Sequence, residues 1–467
     1  MEHSLVGTLH LRKAHSMALY QTVLADRYVG AVASTSPGTG WTTVADLQTL
    51  INNARTANLP LYLKPGAYTT NKIDVLSSNG GGNSLSIYAT GSGVIVSLNA
   101  SQPYLLSANA INCKFEGIDF YGSGVTLTDL SLQFAAIIRF SGDMSYDFKR
   151  CSVYGSPQSG IYAWGGATGR VRECKFYSLS YAIATMDCNV FVEDNSFVSC
   201  ANGGVYIWTS SAHSIVALVN KNYFQYMHST IGDGQNGNAV SIYRAGGVKI
   251  TNNVIYQSDF SAIRINGGSN CEVTGNRIWS CPDSAIFIEA PGGDVQTIGN
   301  IVTANLIDAS QRGIAAVNVA MYNDGMTRRT VIANNQITNS TAVGMAVEGG
   351  CTVIGNMIET APLGIQVGTN DATFDLDVTG NHVVNCSMGI GYSAHSAAAG
   401  MLISSNVIKG YRVSTNPSDP NYAKSGAIVG CLSTNRTYSG STPNTDYGNA
   451  LPIKVGGATI GVNTARV

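Results

Sequence analysis

Apolar and polar positions along the chain fall into two recurring phrases. The first is apolar, two small or polar residues, Asn, any residue, apolar. It reads Ile250-Thr-Asn-Asn253-Val-Ile255, Val273-Thr-Gly-Asn276-Arg-Ile278, Val353-Ile-Gly-Asn356-Met-Ile358 and Val378-Thr-Gly-Asn381-His-Val383. Laid along the sequence, its Asn slot falls at Asn195, Asn222, Asn253, Asn276, Asn305, Asn335, Asn356, Asn381 and Asn406, and looser copies put Ile118, Cys151 and Cys174 there. The second phrase alternates apolar residues behind a small one, as in Gly160-Ile-Tyr-Ala-Trp164, Gly204-Val-Tyr-Ile-Trp208, Ala262-Ile-Arg-Ile-Asn266, Ala285-Ile-Phe-Ile-Glu289, Gly344-Met-Ala-Val-Glu348 and Gly364-Ile-Gln-Val-Gly368. Strict alternation between turn residues predicts short strands rather than helices.

Successive Asn slots lie 21 to 33 residues apart, a period that means stacked coils rather than one closed globular core. Two or three short strands per coil, a β-branched interior and Asn or Gly at the corners predict an all-β, right-handed, single-stranded parallel β-helix of about twelve coils. Asn suits the corner because it tolerates left-handed backbone, and one strand spacing away its amide meets the next Asn in a ladder. A leucine-rich solenoid would use a similar Asn, but leucine is too sparse here.

Residues 1–40 carry no repeat and read as an N-terminal arm, a possible docking or oligomer contact. Residues 41–72 supply a cap: Thr43 as N-cap and Asp46 as its capping-box partner open a helix from Leu47 to Ala57 with Leu47, Leu50, Ile51 and Ala54 on one face, followed by a first strand. Such a helix covers the open end of a stack. The β-helix itself occupies 73–410, its coils beginning near Ile73 or Leu85, with inserts at 122–144, 228–238 and 319–329. Residues 411–467 form an irregular C-terminal tail or cap in which Ile453 to Val467 can pair as a last strand pair.

Charged residues make up 12% of the chain and the formal net charge is -1, so nothing suggests an electrostatic grip on nucleic acid. No run of 18 apolar residues predicts a membrane span. After Arg12 and Lys13 no apolar signal core follows, so the chain reads as unexported or already trimmed. The cysteines show no zinc spacing and fit small apolar core positions, with Cys151 and Cys174 the one pair in adjacent coils. His213, His228, His382 and His395 share no ligand spacing; neither metal nor cofactor is predicted.

The coil, the Asn slot and the helix cap resemble the pectate-lyase-like right-handed β-helix superfamily. Gly237-Asn-Ala-Val-Ser-Ile-Tyr-Arg-Ala245, Ser261-Ala-Ile-Arg-Ile-Asn266 and Ala285-Ile-Phe-Ile-Glu289 are similar to the twin-arginine-translocated β-helix repeat family, over roughly Asn202 to Gly430. That family lends no catalytic residues, and its twin-arginine signal is missing here. The wider superfamily implies polysaccharides bound along an outer flank, by lyases, polygalacturonases, epimerases and phage tailspikes. The polygalacturonase Gly-His-Gly, the pectate-lyase aspartate cluster and the epimerases' acidic-aromatic motif are all absent.

With Ile161, Val205, Ile242, Ile263, Ile286 and Met345 facing inward, alternation sends two columns outward. One holds Tyr162, Tyr206, Arg264, Phe287 and Gln366; the next holds Trp164, Trp208, Asn266, Glu289 and Glu348, with Tyr243 and Arg244 beside them. Rings stack on apolar sugar faces while Arg, Asn and Glu bond hydroxyls or a uronate carboxylate. The substrate-binding candidates are therefore Tyr162, Trp164, Tyr206, Trp208, Tyr243, Arg244, Asn266 and Phe287. The catalytic candidates are Glu289, Glu348 and Arg264. Two coils apart, across the coil of Asn318, the two carboxylates fall in the range of an inverting glycosidase, roughly 6.5–9.5 Å. In a lyase, Arg264 or Arg244 neutralises a uronate while a base removes a proton. Asp187, Asp233 and Asp324 are further candidates. The alternative is that these rings pack under loops or a neighbouring subunit.

The leading expectation is recognition of a bacterial surface or extracellular polysaccharide, with cleavage by a lyase or hydrolase as the further step. A homotrimeric phage tailspike depolymerase, docked to the virion by residues 1–40, fits it. The alternatives are a secreted or periplasmic carbohydrate-active enzyme and a non-catalytic structural or adhesin β-helix.

Overall fold

The computed structural model describes residues 46–78, 82–126, 135–230, 236–290, 297–318, 327–348, 350–367, 374–392 and 399–411, together with the short strands Val32–Ser34, Thr42–Thr43, Gly426–Gly430, Lys454–Val455 and Ala458–Thr459. The chain is a right-handed parallel β-solenoid of about twelve turns with one short helix near its N-terminus. It divides into two compact units, Met1–Lys175 and Phe176–Val467. Most of the N-terminal arm, the C-terminal tail and the cores of the three inserts lie outside the described residues.

In unit 1 the helix α1 (Leu47–Thr56) is capped by Asp46, whose carboxylate accepts the Gln48 and Thr49 N–H groups at 3.1 and 3.3 Å. The cap expected at Thr43 does not form, because Thr43 is taken into a strand antiparallel to Val32–Ser34. The helix ends at Thr56, and Leu50 is only half-buried; Arg55 joins Leu47, Ile51 and Ala54 on the buried face. The Arg55 guanidinium spans the end of the stack, donating to the carbonyls of Leu76 and Gly82 at 2.9 Å each. The first turn uses Leu61–Leu63, Gly66–Thr70 and Ile73–Val75, each already in parallel register with the next turn. Val32–Ser34 pairs antiparallel with Leu61–Leu63 and so covers an edge that would otherwise present unpaired backbone. Phenylalanines fill the interior: Phe115 lies 4.9 Å from Phe148, and Phe140 stacks on Tyr146 at 4.5 Å. Tyr146 needs a glycine on the neighbouring rung, since a Cβ on Gly169 would sit 2.0 Å from its ring.

In unit 2 each turn typically contributes three short strands. One inner column runs Val205, Val240, Ile263, Ile286, Ile314, Met345, Ile365 and Ile390 in unbroken register. Val240, not Ile242, occupies the expected slot; Ile242 is inward too, one alternation further on, opposite Ile207 and Ile265. A second column stacks Phe197 on Phe224 at 4.6 Å and continues through Ile255, Ile278, Ile307, Ile337, Ile358, Val383 and Ile408. Each such side chain, withdrawn from water, contributes on the order of 1.5–3 kcal/mol.

The corner between these sheets is the asparagine ladder. From Asn195 to Asn381, each Asn donates its backbone N–H and its side-chain amide to the Oδ1 of the next ladder Asn at 2.9–3.0 Å. The amide of Asn276 also donates to the Ile250 carbonyl at 2.9 Å, and its neighbours repeat that bond. The Asn is not the left-handed residue expected at the corner. That role falls one position earlier: Asp194, Lys221, Asn252, Ala304, Asn334 and Ser405 have φ of 54–56°, and Gly275, Gly355 and Gly380 have φ of 63–69°. The Asn is selected for its amide rather than its backbone.

The described cysteines are buried thiols. Cys151 and Cys174 adjoin, with the Cys151 N–H donating to the Cys174 Sγ at 3.4 Å. Burial pushes the thiols of Cys113, Cys200, Cys271, Cys281 and Cys351 up to about 12, which keeps them protonated and inert.

Replacing a central ladder residue strands a buried N–H on one side and a buried acceptor on the other. Asn276→Ala is expected to cost roughly 3 kcal/mol, since each orphaned group costs about 1–3 kcal/mol. Asn406→Ala, at the last ladder Asn among the described residues, is expected to cost about half as much. Urea denaturation midpoints of the two variants against wild type check this; equal losses would mean that the ladder does not carry the corner.

Candidate functional site

Outward from the strand column of unit 2 the side chains do not face open water. They form a second packed layer. Tyr206, Ser241, Arg264, Phe287, Ala315, Ala346 and Gln366 follow one another in register. Trp208, Tyr243, Asn266, Glu289 and Val317 form the adjoining column. Tyr243 is thus a full member of the second column, and Ser241 fills the gap in the first.

Arg264 and Glu289 are brought together. The Arg264 Nε donates to the Glu289 Oε1 at 2.5 Å and its terminal nitrogen pairs with the same oxygen. Both are buried, at 8% and 4% exposure. The Arg264 guanidinium lies 5.5 Å from the Phe260 ring centre and 5.7 Å from that of Phe287. Arg312 approaches Phe287 at 5.4 Å and pairs with Asp283 at 2.6 Å. Phe287 also packs with Ala315 and Ala346, against Phe260, Val317 and Val343. Burial raises the Glu289 carboxyl above its ordinary value, and it outweighs the opposing pull of Arg264. Glu348 is buried too; its N–H donates to the Ala316 carbonyl at 2.8 Å. Ala316 opposes Val347, so Glu348 stands two rungs from Glu289, with Val317 on the rung between.

At the other end of the layer the groups are more open. Trp208 and Tyr243, both half-buried, meet edge to face with centroids 6.1 Å apart. Arg244 has φ of 61°, which swings its guanidinium back to 5.0 Å from the Tyr243 ring, and it donates to the Ser210 carbonyl at 3.3 Å. Asp187 donates its N–H to the Trp208 carbonyl at 3.0 Å, accepts the Ser210 N–H at 2.9 Å and lies 3.7 Å from the His213 Nε2. Trp208, Tyr243, Arg244, Asp187 and His213 therefore form one ridge, aromatic in the middle and polar at the rim. Tyr206 lies beside Trp208 in the adjoining column, 6.5 Å between ring centroids, and is buried against Tyr181 at 5.7 Å.

In unit 1, Tyr162 is buried and stacks at 4.9 Å on Trp164, which is half-buried. Alternation found these residues but not their company. Phe260, Asp283 and Arg312 stand one or two positions before the small residue that opens the second phrase on their own turns, so the phrase itself does not mark them. Asp233, Asp324 and His395 lie outside the described residues. His228 lies 3.3 Å from Asp259, away from the ridge. Among the described residues no three His, Cys, Asp or Glu side chains gather as metal ligands, and no helix is long and apolar enough to cross a membrane.

Deleting one partner of the buried pair leaves the other charge uncompensated, so Arg264→Ala is expected to cost roughly 3–5 kcal/mol. Arg264→Leu combined with Glu289→Leu should regain most of it, as urea denaturation would show. A carboxyl raised on folding contributes stability that is fully present below its ordinary value and is lost as pH rises through the raised value. The stability difference between wild type and Glu289→Gln should therefore move in the variant's favour as pH rises across that window. A difference that does not change with pH would contradict the raised carboxyl.

No curated protein sequence matches the chain. Among solved structures it is similar to the Dettilon tailspike protein, with 13% identity and a TM-score of 0.45 over 78% of this chain and 64% of that one. The chain thus spans less than two thirds of that tailspike. It is also similar to the tailspike of E. coli bacteriophage HK620 in complex with a hexasaccharide, at 12% identity, TM-score 0.44, 82% of this chain and 73% of that one. The periplasmic alginate epimerase AlgG matches at 12% identity, TM-score 0.40, 78% of this chain and 87% of that one. The family model for the right-handed beta helix region matches residues 67–220 and 210–373. With that match lying on the turns and ladder described above, the chain belongs to the right-handed β-helix family.

Proposed function

We propose that the ridge of Trp208, Tyr243, Arg244, Asp187 and His213 binds an extended polysaccharide of a bacterial surface or extracellular matrix. The observation that carries the proposal is the in-register pairing of two half-buried rings on adjacent rungs, with a guanidinium over one of them. Rings one strand spacing apart offer flat apolar faces to successive sugars, and the rim groups offer donors and acceptors to hydroxyls. The buried pairing of Arg264 with Glu289 supports recognition over cleavage by these residues, because the carboxylate already holds two of the guanidinium nitrogens. If cleavage occurs, Glu289 is the candidate acid, because burial favours its protonated form, and Glu348 is the second carboxylate. The finer reading is a homotrimeric receptor-binding spike that acts outside the cell and docks through residues 1–40.

One observation favours a structural reading instead. Tyr162, Tyr206 and Phe287 are already buried within a single chain, as in a packed wall that binds nothing.

A panel of bacterial exopolysaccharides, assayed for binding, for new reducing ends and for absorbance of unsaturated uronates, tests the proposal. Wild type is expected to bind at least one glycan. Trp208→Ala and Arg244→Ala should weaken that binding about tenfold or more, equivalent to about 1.4 kcal/mol. Glu289→Gln should abolish any cleavage and spare binding. Absence of binding across the panel overturns the proposal in favour of the structural wall. Light scattering of the same samples reads the oligomeric state, and a monomer would remove the spike.

A further inference from the structure

Unit 1 carries a second constellation, separate from the ridge of unit 2. Asp74, Ser107, Arg139 and Tyr162 occupy one outward column in register. α1 pins its first member: the Gln48 side chain accepts the Asp74 N–H at 2.7 Å and donates to the Asp74 carbonyl at 3.1 Å. The Tyr104 hydroxyl donates to the Asp74 carboxylate at 2.6 Å. Lys72 closes the triangle, 3.2 Å from that carboxylate and 3.3 Å from the Tyr104 oxygen. Asp74 is thereby neutralised by Lys72.

Arg139 has no such partner. Its guanidinium lies 5.7 Å from the Tyr104 ring centre and 5.1 Å from that of Trp164. Its Nε is buried without a hydrogen bond, and among the described residues no carboxylate pairs with it. A guanidinium carries five donors in a rigid planar fork, and the two rings hold its charge without using those donors, so its terminal nitrogens remain for a ligand. The fork fits a planar carboxylate with two parallel hydrogen bonds. Next to it, Trp164 stacked on Tyr162 presents a flat apolar platform of the size of a sugar ring.

We propose that Arg139, held between Tyr104 and Trp164, binds the carboxylate of a uronate residue in a glycan whose ring lies on Trp164. A uronate supplies both halves of the match, a planar anion and a rigid apolar face fixed beside it. An acidic peptide supplies the anion on a flexible stem with no face to stack, and a sulfate ester lacks the planar geometry. The site rests on unit 1 alone and does not depend on the ridge in unit 2.

Calorimetric titration of the full chain with oligouronates tests it, beside their carboxyl-reduced neutral counterparts, a sulfated oligosaccharide and poly-glutamate. Oligouronates are expected to bind, more weakly as salt rises. Arg139→Gln and Trp164→Ala should each weaken that binding about tenfold or more. Arg139→Lys, which keeps the charge and the stem but not the planar fork, should keep the wild-type melting temperature while losing affinity. A larger loss of oligouronate binding in Arg139→Gln than in Trp208→Ala assigns the binding to this site rather than to the ridge, and the reverse order assigns it to the ridge. Four further results would overturn the proposal: no oligouronate bound by wild type, equal binding of the reduced oligomers, undiminished binding by both Arg139 variants, or equal or tighter binding of poly-glutamate or the sulfated sugar.

Discussion

A buried amide has to find its partner on the next rung, and in unit 2 that requirement ties one turn to another. From Asn222 to Asn381 each ladder Asn receives two hydrogen bonds on one oxygen and returns its own amide to the rungs on either side. In a dry corner those bonds cannot be exchanged for water, so a slip of one residue would orphan several groups at once. The register of the apolar columns follows. Once the Asn positions are locked, Ile263, Ile286 and Ile314 have no choice but to stack.

A locked register does more than build an interior. Every second residue of each strand is sent outward at a fixed spacing, and here those residues have become a layer with its own packing. Phe287 sits among Arg264, Arg312, Ala315 and Ala346, and Ser284–Ala290 is buried along its whole length. A strand covered on both faces loses the contrast that normally separates core from surface. In unit 2 this layer thins at Trp208 and Tyr243, whose half-buried rings remain within reach of a ligand.

Much of this was legible in the residues. The Asn period marked the turns, the small residues opening the second phrase marked the strand starts, and alternation placed Tyr206, Arg264, Phe287, Trp208 and Glu289 on the outer side. Other readings went astray for local reasons. Thr43 and Asp46 are both good caps by residue type, and only the pairing of Thr42–Thr43 with Val32–Ser34 decides between them. The run around Ile242 alternates correctly but reaches the column through Val240, because Ala239 is the small residue that opens its phrase, opposite Gly204.

The sequence by itself determined the solenoid and the identity of its ladder, because both are periodic, and a period is visible in one dimension. Only the tertiary structure decided that Arg264 and Glu289 pair with each other, that Arg139 meets Tyr104 and Trp164 with no carboxylate beside it among the described residues, and which aromatic rings stay open. Those outcomes depend on side chains from different turns, roughly 25 or more positions apart along the chain but neighbours across a rung. Charge pairing and burial are set by those neighbours, and no residue's own phrase records them.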